Sequence, residues 1–400
     1  MKIYENVPIA DFTTMKIGGP ARYVIKIESA EDVPEAYKFA SNHKLPTFVV
    51  GLGANTIGRD EGFDGVVLIN RIPHHIDKLP PELRHGKDVH GNKKARYSKD
   101  SHHDEMHVVT PGESDFFNQD TTAFFKVSSG TEWDDFVLSV SELGFTGVEA
   151  LANIPSTVGA APVQNIGAYG QEVADTIVEI EAFDSAHHQF VTLMNHQCDF
   201  AYRHSIFNDS EKGRYFITSV TFRLEKGRLK PPFYRSLQNY IDHYQVTDFS
   251  PLTIYHIVTT IRKAKLPDPL EHPSSGSFFK NIYLSPDLAR SAKARKIPVY
   301  ESHGLNKVPT SWLIEHSGLK GQKLHGFRVW PDAPLVLVNE DGADYHALSL
   351  ARQGITSKVY EKFGFNLEQE PEELVMLNRF DATPVNPFAA PTETPNSEDD

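Results

Sequence analysis

The stretch that most restricts the fold is NIPSTVGAAPVQNIGAYGQE, residues 153–172. Small residues fill Ser156–Ala161, glycine recurs at 159, 167 and 170, and Tyr169 is the one bulky side chain. Such a segment either packs as a buried Gly/Ala loop or lets the backbone close on a large flat ligand. A second glycine turn, GLGAN (Gly51–Asn55), follows a short apolar stretch. A nicotinamide-type Rossmann loop would need a third glycine where Thr56 stands and an acidic residue about 20 positions on. Here a strand runs on to Asn70 and Arg71, so GLGAN is either a strand-end turn or a diphosphate cradle of another kind. Two glycine loops about 100 residues apart fit one long ligand, such as a dinucleotide, held between two lobes.

The elements around these loops are mixed. Alternation predicts a strand over 21–29, a helix with an acidic first turn over 30–45, and strands at 46–57 and 65–72. Strand 122–130, helix 132–144, a hairpin over 176–193 turning at Asp184–His188, and strand 215–227 follow. Helices are then predicted at 252–266, 286–297 and 310–319, a strand at 333–341 and a long helix at 344–364. Strands and helices do not alternate as regular βαβ units, which predicts an α+β fold.

The 400 residues carry 40 Lys and Arg against 53 Asp and Glu, a net charge of −13. A chain this acidic is a poor general binder of nucleic acid, which needs clustered cations. No run approaches the ~18 apolar residues of a membrane span, and no signal peptide is evident at Met1–Ala10, so no membrane insertion is expected. The single cysteine, Cys198, rules out an internal disulfide and any multi-cysteine metal site. A cytoplasmic location and a monomer are expected.

The segments TTMKIGGPARY, GLGAN, IPSTVGAAPVQNIGAYGQE, FAYRHSIF, KLPDP, GSFFKN, SWLIEHSGLKG and LVLVNEDGA occur in this order. Together they resemble UDP-N-acetylenolpyruvoylglucosamine reductases, flavoenzymes of peptidoglycan synthesis, over about residues 6–370. The resemblance implies a vanillyl-alcohol-oxidase/PCMH-type FAD-binding fold in two lobes plus a C-terminal α+β substrate-binding domain. The implied boundaries are 1–72 for lobe 1, 73–122 for an insertion, 123–228 for lobe 2, 229–380 for the substrate domain and 381–400 for a disordered tail. FAD is the implied cofactor and NADPH the implied co-substrate. The implied reaction reduces UDP-N-acetylglucosamine enolpyruvate to UDP-N-acetylmuramate. Other FAD-dependent sugar or alcohol oxidoreductases, or a non-catalytic flavin-binding homologue, are the alternatives.

The resemblance also assigns roles. Arg203, which from the residues alone could equally be a surface ion pair, becomes the stabiliser of an enolate-like intermediate, with Tyr202 beside the substrate. Ser277 becomes the proton donor. The nucleophile reading of SSGSFFKN fails on Phe279, which stands where a G-x-S-x-G elbow needs glycine. Glu370 in NLEQEPEEL, with Glu368 as neighbour, becomes the third catalytic residue. Gly51, Gly53, Ala54, Asn55, Thr157, Gly159, Ala160, Asn165 and Gly167 fall at the FAD-binding positions. Arg262, Lys265 and Asn281 are the implied substrate contacts, with Lys280 adjacent. RLKPPFYRSL (228–237) resembles the loop of a subtype whose tyrosine covers the substrate, making Tyr234 the lid residue.

Three departures stand out against the resemblance. Ala54 replaces a usual serine and loses one hydroxyl contact to FAD. Ala333 stands where a substrate-contacting glutamine is frequent. Residues 73–122 exceed the usual connection by about 40 residues and hold seven histidines: His74, His75, His85, His90, His102, His103 and His107. They lack tight ligand spacing, so a surface insertion is expected and no metal site.

Overall fold

The computed structural model describes residues 1–79, 121–302 and 304–375. The first lobe holds β1 (Lys2–Pro8), β2 (Pro20–Ile27), α1 (Asp32–Asn42), β3 (Thr47–Val50), β4 (Thr56–Gly58) and β5 (Phe63–Asn70). Its sheet runs β1-β2-β5-β3, with β5 parallel to both neighbours. A parallel strand covered on both faces needs a nearly continuous apolar sequence, and GVVLIN supplies it, buried throughout. Helix α1 lays Val33, Ala36, Tyr37 and Ala40 on this sheet at helical spacing.

The second lobe holds β6 (Ile76–Lys78), β7 (Thr122–Ser128), α2 (Trp133–Glu142), β8 (Phe145–Thr146), the small hairpin β9 (Gly167–Ala168) and β10 (Gln171–Glu172), then β11 (Ile177–Asp184), β12 (Gln189–Met194) and β13 (Tyr215–Lys226). Its sheet runs β12-β11-β13-β7-β6, with β8 on the end of β13. The expected hairpin turn at 184–188 is present, tied by Arg214 in a two-point pair with Asp184 at 2.9 and 2.6 Å.

Two expected boundaries shift here. Strand β6 pairs with β7, so residues 76–78 belong to the second lobe's sheet and not to the insertion. His74 and His75 precede it; His75 lies exposed beside Asp77. His85, His90, His102, His103 and His107 lie outside the described residues, as does the expected tail 381–400. The second shift concerns α3 (Arg235–Tyr244) and α4 (Pro251–Lys265). Residues 228–237 were expected as a loop of the substrate domain. Instead, Arg235 begins a helix, and Leu237, Ile241, Ile254, Tyr255, Ile257 and Val258 join the core around Trp133, Phe136 and Phe222. Their apolar faces are buried by the second lobe, which therefore extends to about Lys265.

The third lobe holds β14 (Ser274–Ser277), β15 (Ile282–Leu284), α5 (Pro286–Ala294), β16 (Tyr300–Ser302), β17 (Leu305–Val308), α6 (Thr310–His316), β18 (Lys323–Leu324), β19 (Phe327–Val329), β20 (Val336–Asn339), α7 (Tyr345–Phe363) and β21 (Glu372–Leu374). One sheet runs β14-β20-β19-β18 and another β15-β17-β16. Phe278 and Phe279 are fully buried anchors of its core, which also takes in Met15, Ile17 and Ile57 of the first lobe. At its end the chain returns to the first lobe, where β21 pairs in parallel with β4.

Candidate active site

The two glycine loops face each other. A Cβ on Gly51 would lie 2.8 Å from Thr157 Oγ1, so the close approach of the loops requires glycine. Gly53 has φ +70°, and a Cβ there would lie 2.0 Å from Phe12 O. Among the described residues the amides of Leu52, Gly53, Ala54 and Asn55 have no acceptor in the protein. They line a cavity of about 210 Å³ together with Ala160, Gly167, Arg203, Arg262, Ser275, Ser277 and Glu370. Gly51, Thr157, Gly159 and Ala160 also line a smaller cavity of about 90 Å³ beside it. Unpaired amides in a glycine turn suit a diphosphate, and a two-part cleft suits a long dinucleotide, so these residues fit FAD. Asn165 does not join them. It is buried, with Nδ2 donating to Glu172 Oε2 and Ala201 O and Oδ1 accepting from Ala174 N, so its amide is used up holding the loop.

Arg203 sits in a tight turn. Ala201 and His204 exchange both backbone hydrogen bonds at 3.1 Å, leaving Tyr202 and Arg203 as the two turn residues. Arg203 has φ +53°, where glycine or asparagine is usual, so a cost of about 1 kcal/mol is accepted to aim this side chain. Its Nε donates to Glu370 Oε1 at 2.8 Å and its Nη2 to Gly167 O at 2.9 Å. Burial opposes its charge, but Glu370, together with Tyr202 and Glu172, outweighs that and holds its pKa above the ordinary guanidinium value.

Glu370 is brought there by backbone pairing. Lys280 N donates to Glu368 O and Glu370 N to Phe278 O, so residues 368–370 lie as a short strand against 278–280. Ser277 is the next residue along. Strand β14 opposes Ser274 to Val338 but Ser277 to Val336, a bulge of one extra residue, and Gly276 within it has φ +68°. Ser275 and Ser277 both line the cavity. The Ser275 hydroxyl is buried without a partner. Among the described residues no base is hydrogen-bonded to Ser277, which fits a proton donor better than a nucleophile.

The expected substrate contacts divide. Arg262 lines the cavity with Nε donating to Asn153 O, and burial lowers its pKa. The Tyr202 hydroxyl accepts from Asn281 N at 3.2 Å and Nδ2 at 3.4 Å, so these two residues act together beside Arg203. Tyr234 is 45% exposed and packs edge-on to Tyr169. Lys265 lies exposed at the end of α4, outside the cavity lining. Lys280 pairs with Glu368 at 2.5 Å. Ala333 is buried beside Val336 and Val338, a packing position. Sequence reasoning gave no site role to Ser275, which lines the cavity, or to Tyr169 and Lys307, which lie against the Tyr234 ring. Lys307 in β17 lies 5.4 Å from the Tyr234 ring centroid, and burial, then the charge of Arg203, push its pKa below the ordinary lysine value. Nothing in the local pattern LNKV marks it.

A two-lobed sheet scaffold with glycine loops across a cleft, closed by a third lobe whose Glu370 and Ser277 meet Arg203 of the second lobe, defines a PCMH-type FAD-binding oxidoreductase with a separate substrate domain. The FAD binding domain family matches residues 97–192, and the UDP-N-acetylenolpyruvoylglucosamine reductase, C-terminal domain family matches residues 268–374. The latter agrees with a third lobe beginning after α4. UDP-N-acetylenolpyruvoylglucosamine reductase of Amoebophilus asiaticus is 33% identical over 92% of this chain and 98% of its own length. That of Ralstonia nicotianae is 32% identical over 92% and 97%. That of Bdellovibrio bacteriovorus is 39% identical over 62% and 74%. The crystal structure of UDP-N-acetylenolpyruvylglucosamine reductase from Thermus caldophilus shares the fold, with a TM-score of 0.57 at 20% identity over 93% of this chain and 99% of that one. The chain belongs to the UDP-N-acetylenolpyruvoylglucosamine reductase family, and it is an FAD-dependent oxidoreductase.

Proposed function

We propose that the protein reduces UDP-N-acetylglucosamine enolpyruvate to UDP-N-acetylmuramate with electrons from NADPH, in peptidoglycan synthesis. The observation that carries this reading is the meeting of Arg203, Glu370 and Ser277 around one cavity. FAD, when bound and reduced by NADPH, supplies a hydride to the terminal carbon of the enolpyruvyl group. Negative charge then builds on the neighbouring carbon and its carboxylate. Arg203 binds that carboxylate and stabilises the charge, and it needs no proton of its own to do so. Glu370 holds the guanidinium at a fixed angle through Nε, leaving Nη1 for the substrate. Ser277 Oγ–H gives its proton to the carbon bearing the charge and recovers one from water.

Arg262 and Lys307 are the cations that suit the substrate's anionic groups, and Tyr202 with Asn281 supplies neutral donors beside them. Tyr234, half-exposed and packed edge-on to Tyr169, is the residue this reading assigns to cover bound substrate. The reading also puts the protein in a reducing cytoplasm, acting as a monomer; its single cysteine, Cys198, is a buried free thiol. Among the described residues no helix is long and apolar enough to cross a membrane. The test is optical. Purified protein should be yellow, bleach with NADPH and recolour with the enolpyruvyl substrate; bleaching without recolouring would sink the substrate assignment.

A further inference from the structure

We propose that Ser275 is a flavin contact, its hydroxyl donating a hydrogen bond to the FAD ring system. This rests on the chain's being an FAD enzyme, and it concerns a residue to which the reaction above gives no part. Ser275 is 4% exposed, lines the cavity, and its Oγ has no hydrogen-bond partner in the protein. A buried hydroxyl left unpaired costs about 1–3 kcal/mol. Ser141 and Ser317 also bury an unpaired hydroxyl, but neither lines the cavity; Ser275 is the serine that combines the two.

The position of Ser275 favours the cofactor over the substrate. Thr14 N donates to Gly53 O, and Ser274 N donates to Thr14 O. Two backbone hydrogen bonds therefore tie β14 to the glycine loop at the residue before Ser275. The bulge at Gly276 then carries the chain on to Ser277, which lines the same cavity as Arg203 and Glu370. Ser275 thus sits on the glycine-loop side and Ser277 on the chemical side. A flavin ring between them presents carbonyl oxygens and ring nitrogens as acceptors, which is what a lone hydroxyl donor lacks here.

The test is Ser275→Ala, read without turnover. With no FAD bound, the variant should be as stable as the wild-type apoprotein or more so, because an unpaired hydroxyl has been removed. With FAD, binding to the apoprotein should weaken about three- to tenfold, and the visible absorbance bands of the bound flavin should move. UDP-N-acetylglucosamine enolpyruvate should bind the oxidised holoenzyme unchanged. Lower stability of the variant apoprotein would mean that the hydroxyl has a partner in the protein, and the proposal falls. Unchanged FAD affinity and spectrum also overturn it, and weaker substrate binding alongside would move the contact to the substrate. A wild-type apoprotein that takes up no FAD would instead overturn the reading of the protein as a flavoenzyme. Ser275→Cys, which keeps a weak donor, should fall between the two.

Discussion

An aliphatic hydroxyl is a weak acid, and Ser277 can serve as one only because its acceptor is a strongly basic carbanion. Ser277→Ala should therefore leave bleaching by NADPH unchanged and slow recolouring by substrate at least ~10²-fold. Stopped-flow absorbance separates the two half-reactions, and equal rates in both would make Ser277 a loop residue only. Lys307 gives a pH signature. Its pKa lies below the ordinary lysine value, chiefly through burial. A base depressed in this way loses its proton earlier as pH rises. KM for the enolpyruvyl substrate should therefore climb at a pH below that expected of an exposed lysine, and Lys307→Arg should move the climb upward, since guanidinium stays charged. A KM that is flat with pH in both proteins would remove Lys307 from the substrate site.

At the scale of elements, the parts legible in the sequence were those with their own periodicity. GVVLIN was legible as a strand, though not as a parallel one buried on both faces, and the 344–364 helix begins and ends within a residue or so of its observed bounds, capped by Asp344 and Gly364. GSFFKN and FAYRHSIF were legible as chemistry through their resemblance to a family. The fate of α3 and α4 was not, since an amphipathic helix shows that it has a buried face and not which lobe covers it. Nor was the bulge in β14, because SSGS carries no alternation to slip. That bulge makes its own test. Gly276 has φ +68°, yet a Cβ there would meet nothing within 4 Å. Gly276→Ala should thus cost only the backbone penalty, about 1–2 kcal/mol. If the bulge aims Ser277, kcat should also fall while FAD stays bound; a lower denaturation midpoint with unchanged kcat would mean that the serine does not depend on it.

Across the whole molecule, the last described strand is a strap. Residues 368–370 pair with 278–280 of the third lobe, Glu372 N donates to Asn55 O of the glycine loop, and β21 joins β4 of the first lobe. One short segment thus holds Glu370 against Arg203 while stitching the substrate lobe to the cofactor lobe. Glu373 locks it, accepting from Arg59 at 2.8 Å and from Arg352 at 2.8 Å. Burial alone would raise the pKa of this carboxyl, but Arg59, Arg352 and Tyr345 bond to it and hold it below the ordinary glutamate value. A carboxylate depressed on folding contributes stability that is complete above its unfolded pKa, about 4.3, and that is lost as pH falls through its folded pKa. Glu373→Gln should lower stability by about 2 kcal/mol at neutral pH, less than for a fully buried pair because Arg59 is 39% exposed. The gap between variant and wild type, followed by denaturant midpoint, should hold constant from pH 7 to 5 and narrow only below pH ~4, where the wild-type carboxylate takes up its proton. Because the strap also carries Glu370, the neutral-pH variant should lose turnover along with stability. Lost stability with full turnover would show that Glu370 is held by its pairing to Phe278 alone.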